Sequence, residues 1–383
     1  MTIAHSGLHI RSGRLEERLS GTGPEARFLL EAVLRMAVLG DRWNGKKNDL
    51  ARRLRLAKKF VSVGVDDLVS AGSLIRRSAE TEQKRGRPAI SYEVSGEVLD
   101  SLKRLESPFS ALFDDLFLGP ERPFDISQRK SEGFWEEENI NGAMRKNPLN
   151  ACNRLLLAVL LDHSNDVGLV TDVSNSDLQQ MTGLNANRVR NRLSILIEQG
   201  VIRFHAPGFA SARFPGGKIK SSYVLNGQFL KFSANRPKCE LYSPDGSHTS
   251  RAEWMMFEGK GRGSHIKFKV SKEIMLSVWL LLHRLVALVL SRRRTNAFVE
   301  LSEDVYELIA ATLRAGLSSK ADREDFSELC RDLGWWVVDL ANRYIDHYSI
   351  EGVEEGGQVA VLPYDKHHLI LVRVSAQSMD KGS

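Results

Sequence analysis

Two short runs of this chain carry side chains that can contact a flat heterocycle or a phosphate. From Asn185 the sequence reads NANRVRNRLSILIE, with Asn187, Arg188, Arg190 and Asn191 inside five positions. An Asn amide matches an adenine edge and an Arg guanidinium a guanine edge, each pair worth roughly 1–3 kcal/mol of discrimination. Asn187, Arg188 and Asn191 are therefore candidate base readers. Arg190, with Lys218 and Lys220 further on, supplies candidate phosphate contacts. The second run holds Lys46, Lys47, Lys58, Lys59 and Ser62, followed by Arg85 and Arg87 near a Gly-Arg-Pro turn.

The charge around these residues is concentrated. The 383-residue chain has a net charge of +6. Residues 42–87 hold thirteen Lys/Arg against five Asp/Glu, and residues 185–220 hold seven against one. The remainder is left mildly acidic. Two cationic segments on an anionic body point to a polyanionic partner.

Other chemistries find little support. Three widely spaced cysteines, Cys152, Cys239 and Cys330, exclude a disulfide scaffold or a four-cysteine zinc site and favour a reducing compartment. The first twenty residues lack the apolar core of a secretory leader. There is no GxSxG, HExxH or phosphate-binding loop, and Gly259–Gly263 lacks the spacing of one. Adjacent His367 and His368 on a strand would point to opposite faces, so a metal site with Asp365 is not expected. The apolar run Ile274–Leu290 has His283 and Arg284 near its middle, which disfavours a membrane span. The expectation is a non-enzymatic, cytoplasmic, nucleoid-associated protein with no cofactor, metal or membrane.

Three helices are expected to carry the first cationic run. Pro24–Leu39 repeats apolar residues at i, i+3 and i+4 behind a proline at the first turn. Lys47–Leu54 gives a second helix, Arg55–Ala57 a tight break, and about Lys58–Ser70 a third. Ala71-Gly72 stops it. Leu74–Ser78 and Ile90–Val94 then read as strands around the polar turn Glu82–Pro88.

This order, with its Gly-Arg-Pro tip and the Tyr92 of the return strand, resembles the winged helix-turn-helix domain of bacterial transcription regulators. The resemblance implies that the third helix reads a major groove through Lys58, Lys59 and Ser62, while Arg85 and Arg87 of the wing approach phosphates or the minor groove. Arg55 stands where that family often has glycine, and Gly64 falls inside the third helix.

The second run repeats the arrangement. Ala151–His163 is an apolar helix, and Ser174–Asp177 offers capping side chains for a short helix. Thr182-Gly183-Leu184 is the turn, and Asn185 can cap a helix from Ala186 to about Glu198. Gln199-Gly200 ends it, with strands at Val201–Phe204 and Tyr223–Leu225 enclosing a long wing. This segment too resembles a winged helix-turn-helix.

The expected fold class is α+β and mostly helical: tandem winged helix-turn-helix domains at 24–95 and 151–226 and a C-terminal helical domain with short strands. Residues 96–150 form a bridging helix or pair and a linker, 227–271 a mixed connector, and 272–376 a unit for oligomerisation or ligand sensing. The expected partners are double-stranded DNA and a second copy, joined as a homodimer through the C-terminal helical region. The function expected is sequence-specific DNA binding by a transcriptional regulator. A plasmid-type replication initiator and a protein-binding scaffold stay open as alternatives.

Overall fold

The computed structural model describes residues 8–11, 14–78, 90–100, 110–119, 149–165, 168–210, 218–226, 239–242, 272–293, 295, 297–314, 323–348, 358–363 and 369–374. The fold is α+β and mostly helical, with small antiparallel sheets. It divides into two compact units: Met1–Arg203 with Leu225–Ala234, and Phe204–Val224 with Asn235–Ser383.

In the first unit a short helix α1 (Arg14–Arg18) precedes α2 (Pro24–Val38), whose proline stands at the first turn. Nearly every residue of α2 from Ala26 to Met36 is buried, including Arg27, Glu31 and Arg35. A helix with no wet face needs partners all round. They are α4 (Lys58–Ser70), α6 (Ser110–Leu118) and α7 (Ala151–Asp162), the last itself buried along its length. Phe28 is the hub of this packing. Its ring lies 6.0 Å from that of Phe60 on α4 and 5.1 Å from that of Phe117 on α6, and the Arg154 guanidinium from α7 sits 5.1 Å above it. Burying each such side chain contributes roughly 1.5–3 kcal/mol.

Charged side chains inside this core find a counter-charge or carbonyl acceptors, as burial demands. Glu31 bonds Arg35 at 2.8 Å and accepts the Ile10 N–H at 3.0 Å, while Arg35 reaches Asp114 of α6 at 2.9 Å and lies over Phe113. Arg154 donates to the carbonyls of Leu116 and Gly119, closing the C-terminal end of α6.

Around α2 run β1 (Asn44–Gly45), α3 (Lys47–Arg53), α4, β2 (Leu74–Ser78) and β3 (Ile90–Val94). The sheet order is β1-β3-β2, all antiparallel, with Gly45 opposite Tyr92 and Leu74 opposite Val94. Helix α5 (Gly96–Asp100) follows. Around α7 the same order recurs: β4 (Leu169–Val173), α8 (Asn175–Thr182), α9 (Ala186–Glu198), β5 (Ile202–Ala206) and, after a two-residue pair β6 (Phe209–Ala210) and β7 (Lys218–Ile219), β8 (Ser221–Leu225). Their sheet order is β4-β8-β5, again first, last, middle. Leu225 donates to the Gly168 carbonyl and Asn226 to that of Val201, both at 2.9 Å.

The second unit packs α10 (Lys272–Arg292), α11 (Glu303–Arg314) and α12 (Arg323–Tyr348) with a sheet of β9 (Cys239–Tyr242), β10 (Gln358–Pro363) and β11 (Leu369–Val374), ordered β10-β11-β9. Leu282, Leu285, Val286 and Leu290 meet Ile309, Cys330, Leu333, Val337 and Ala341 in its core. His283 is buried there, 3.1 Å from the Tyr344 hydroxyl, and burial pushes its pKa down to about 3. A neutral imidazole is thus a core group of α10, and no helix among the described residues is long and apolar enough to cross a membrane.

The expected strands Leu74–Ser78 and Ile90–Val94 occur with those bounds. Among its described residues the bridging stretch carries α5 and α6, and α6 packs in the core between α2 and α7. Strands β1, β4, β6, β7 and β9 had no counterpart among the strands expected from the sequence. The polar turn Glu82–Pro88, most of the expected bridging and linker stretch beyond Gly119, the run Gly259–Gly263, and His367 and His368 lie outside the described residues.

Candidate nucleic-acid interface

Each module presents its third helix, α4 or α9, by the same devices. Both helices end on a left-handed glycine. At Gly72 (φ 67°) the Ser73 N–H reaches back to the Leu68 carbonyl, and at Gly200 (φ 68°) the Val201 N–H reaches that of Leu196, each at 2.9 Å. These six-to-one bonds satisfy carbonyls a helix end would otherwise leave bare.

The turns before the helices occupy the same conformation with different residues. In the second module Gly183 (φ 69°) joins α8 to α9. In the first, Arg55 takes the equivalent place with φ 52°, and the Leu56 N–H bonds the Ala51 carbonyl at 2.9 Å. Arg55 is the single non-glycine residue with positive φ among the described residues. The side chains one step into each turn are both leucine, Leu56 and Leu184. The residues that start the helices differ. Asn185 accepts the Arg188 N–H at 2.9 Å and caps α9, whereas Ala57 starts α4 with no side-chain cap. Likewise α8 opens on a reciprocal Ser174–Asp177 capping box, and α3 opens on Lys46 without one.

Gly64 explains itself in space. A Cβ there would lie 2.7 Å from the Glu25 carbonyl and from Leu29 Cδ1, so glycine is what lets α4 lie close against α2. Gly183 is doubly constrained: beyond its φ, a Cβ would lie 2.6 Å from the Thr22 carbonyl oxygen. Both third-helix assemblies therefore bear on the first turn of α2, one through Gly64 and the other through Gly183.

On α4, Lys58 and Lys59 are exposed. Ser62 is half-buried and faces Lys47, whose ammonium lies 3.3 Å from its hydroxyl, 2.5 Å from Asp66 and 5.4 Å from the centre of the Tyr92 ring. Lys47 thus neutralises the one carboxylate on the exposed side of α4 and is itself occupied. Tyr92 stacks on Trp43 at 6.5 Å between ring centres, a packing role for the return-strand tyrosine. Lys46 is exposed.

On α9, Asn187, Arg190 and Asn191 are exposed and share a face at spacings of three and four. Arg188 is half-buried. Its guanidinium pairs with Glu25 at 3.4 Å and lies 3.5 Å from Cys152 Sγ. Burial raises the Cys152 pKa, opposed by the Arg188 charge. Lys220 is half-buried, the Lys218 side chain is not described, and Arg85 and Arg87 lie in the segment outside the description.

The structure thus gathers Lys58 and Lys59 on one helix face and Asn187, Arg190 and Asn191 on another, and ties Arg188 to α2. It adds two groups the sequence reading passed over. Arg55, noted only as an odd turn residue, is an exposed cation at the foot of α4. Glu25 anchors Arg188 across 163 positions of sequence, which no local pattern could reveal. No group of three metal-ligating side chains occurs among the described residues. Compared with known protein families, curated proteins and solved structures, the chain shows no match.

Proposed function

We propose that the chain is a double-stranded DNA-binding transcriptional regulator whose two modules are winged helix-turn-helix units. One observation carries the reading. The order helix, strand, helix, helix, strand, strand occurs twice, each time with sheet order first, last, middle and with Lys, Arg or Asn exposed on the third helix. An α-helix of this kind fits the major groove, about 12 Å wide.

Roles divide by chemistry. Lys58 and Lys59 on α4, Arg55 in the turn before it and Lys46 at the start of α3 neutralise phosphates, giving affinity that falls with salt. Asn187 and Asn191 offer amides to base edges, with Arg190 beside them as a phosphate ligand, so that α9 supplies sequence choice. Arg188 orients α9 against α2 and is a positioning residue.

Gel-shift and anisotropy titrations on genome-selected and scrambled duplexes test this. Replacing Lys58 and Lys59 with Ala weakens all duplexes alike and lowers the magnitude of the log–log salt slope by about 1.8, at roughly 0.9 per contact. Replacing Asn187 and Asn191 with Ala brings the cognate-to-scrambled ratio down by about 10- to 100-fold. Absence of any duplex binding at low ionic strength refutes the reading in favour of a protein-binding scaffold. A direct-repeat array with strand opening in footprints would redirect it to a replication initiator.

A further inference from the structure

The outer face of α12 in the second unit carries a pattern that is its own complement. The inner face is closed: Cys330, Leu333, Val337, Ala341 and Tyr344 are buried. Turned away from them, Arg331, Trp335 and Asp339 are exposed at intervals of four, forming one ridge that rises about 6 Å per step. Trp335 is 57% exposed, an unusual state for the largest apolar side chain. Phe298, at 61%, is the other large exposed hydrophobic of this unit among the described residues. It neighbours Val299, whose backbone N–H and C=O are both held by the Asn342 side chain at 2.7 and 2.8 Å. Asn342 is seven residues beyond Trp335, so Phe298 is fixed about two turns along the same helix face.

We propose that this ridge is the contact between two copies of the chain, related by a two-fold axis at Trp335. Reversal about that residue sets Arg331 of each copy against Asp339 of the other and the two indoles against each other. A two-fold contact requires such a self-complementary surface, whereas an unrelated partner does not. Asp339 already bonds Arg343 at 2.8 Å within its own helix, and a carboxylate has acceptor sites for a second guanidinium. The contact draws nothing from the DNA reading and stands or fails apart from it.

Light scattering and sedimentation of the full chain without nucleic acid test it. Wild type sediments as a dimer. Trp335→Ala raises the dimer Kd by at least about 30-fold, as for a central aromatic anchor. Arg331→Asp and Asp339→Arg each give monomers, because like charges then face each other. An equimolar mixture of these two variants regains a one-to-one dimer, which also demonstrates that both remain folded. A monomeric wild type, dimers that survive Arg331→Asp, or a mixture that fails to pair would each overturn the proposal.

Discussion

The two turns that precede α4 and α9 in the first unit solve one backbone problem with opposite residues. The second module reads Gly183-Leu184-Asn185: glycine takes the left-handed φ, leucine is buried, and asparagine caps α9. The first reads Arg55-Leu56-Ala57, with arginine held at φ 52° and no cap for α4. The openings of α8 and α3 repeat the contrast, Ser174 with a capping box against Lys46 without one. The second module is locally optimised, while the first gives up caps and a glycine and gains exposed cations. Non-glycine residues at positive φ cost roughly 1–2 kcal/mol, and a missing cap typically about 1 kcal/mol. Such local cost at exposed charged positions fits a surface selected for what it touches.

The comparison can be broken most severely at Gly183. Gly183→Ala combines a disfavoured φ with a Cβ in contact with the Thr22 carbonyl oxygen, and should lower the unfolding free energy of the first unit by about 3–4 kcal/mol in urea melts. An unchanged midpoint would mean that the turn is not seated on α2. Next comes Gly64→Ala, where α4 must move off α2, with an expected loss of about 1–3 kcal/mol.

Acid probes the second unit independently. The His283 pKa is depressed by burial to about 3, so the unfolded chain binds a proton that the folded one refuses. Stability from this group is complete above the unfolded value of about 6.5 and declines as pH falls towards 3, by roughly 1.4 kcal/mol per pH unit. His283→Gln should flatten that slope, and an equally steep profile in the variant would reject the assignment.

The smallest effect sharpens the contrast instead. Writing the second turn into the first, as Arg55→Gly with Ala57→Asn, should stabilise the unit by about 1–2 kcal/mol while weakening duplex affinity through the lost cation. Stabilisation without any loss of affinity would remove Arg55 from the interface.

Much of this architecture was legible along the chain. The spacing of apolar residues located α2, α4 and α9 and an apolar run located α7, glycines at 72 and 200 marked the ends of α4 and α9, and Ser174 and Asn185 announced caps that are present. What was not legible depends on partners distant in sequence. Strands β1 and β4 are too short or too mixed to alternate, and they exist because β3 and β8 bond to them. The rhythm of α2 suggested one apolar face, and its burial on every side, with Arg27, Glu31 and Arg35 inside, emerged only with their partners in view. For Arg188, residue type and spacing suggested a base reader, and its pairing with Glu25, which leaves 40% of the side chain exposed, could be read only from the folded chain. Gly64 looked like a flaw in a helix and is the contact point between two.

The all-round burial of α2 and α7 has a practical corollary. Neither half of the first unit owns a separable interior, so cutting the backbone anywhere between residues 120 and 148 should leave two fragments that travel together through a sizing column. It also freezes the distance between α4 and α9 as firmly as a gauge block. Under the DNA reading, one base pair inserted between their two footprints should weaken joint engagement, because α2 packs on α4 and on α7, and α7 on α9.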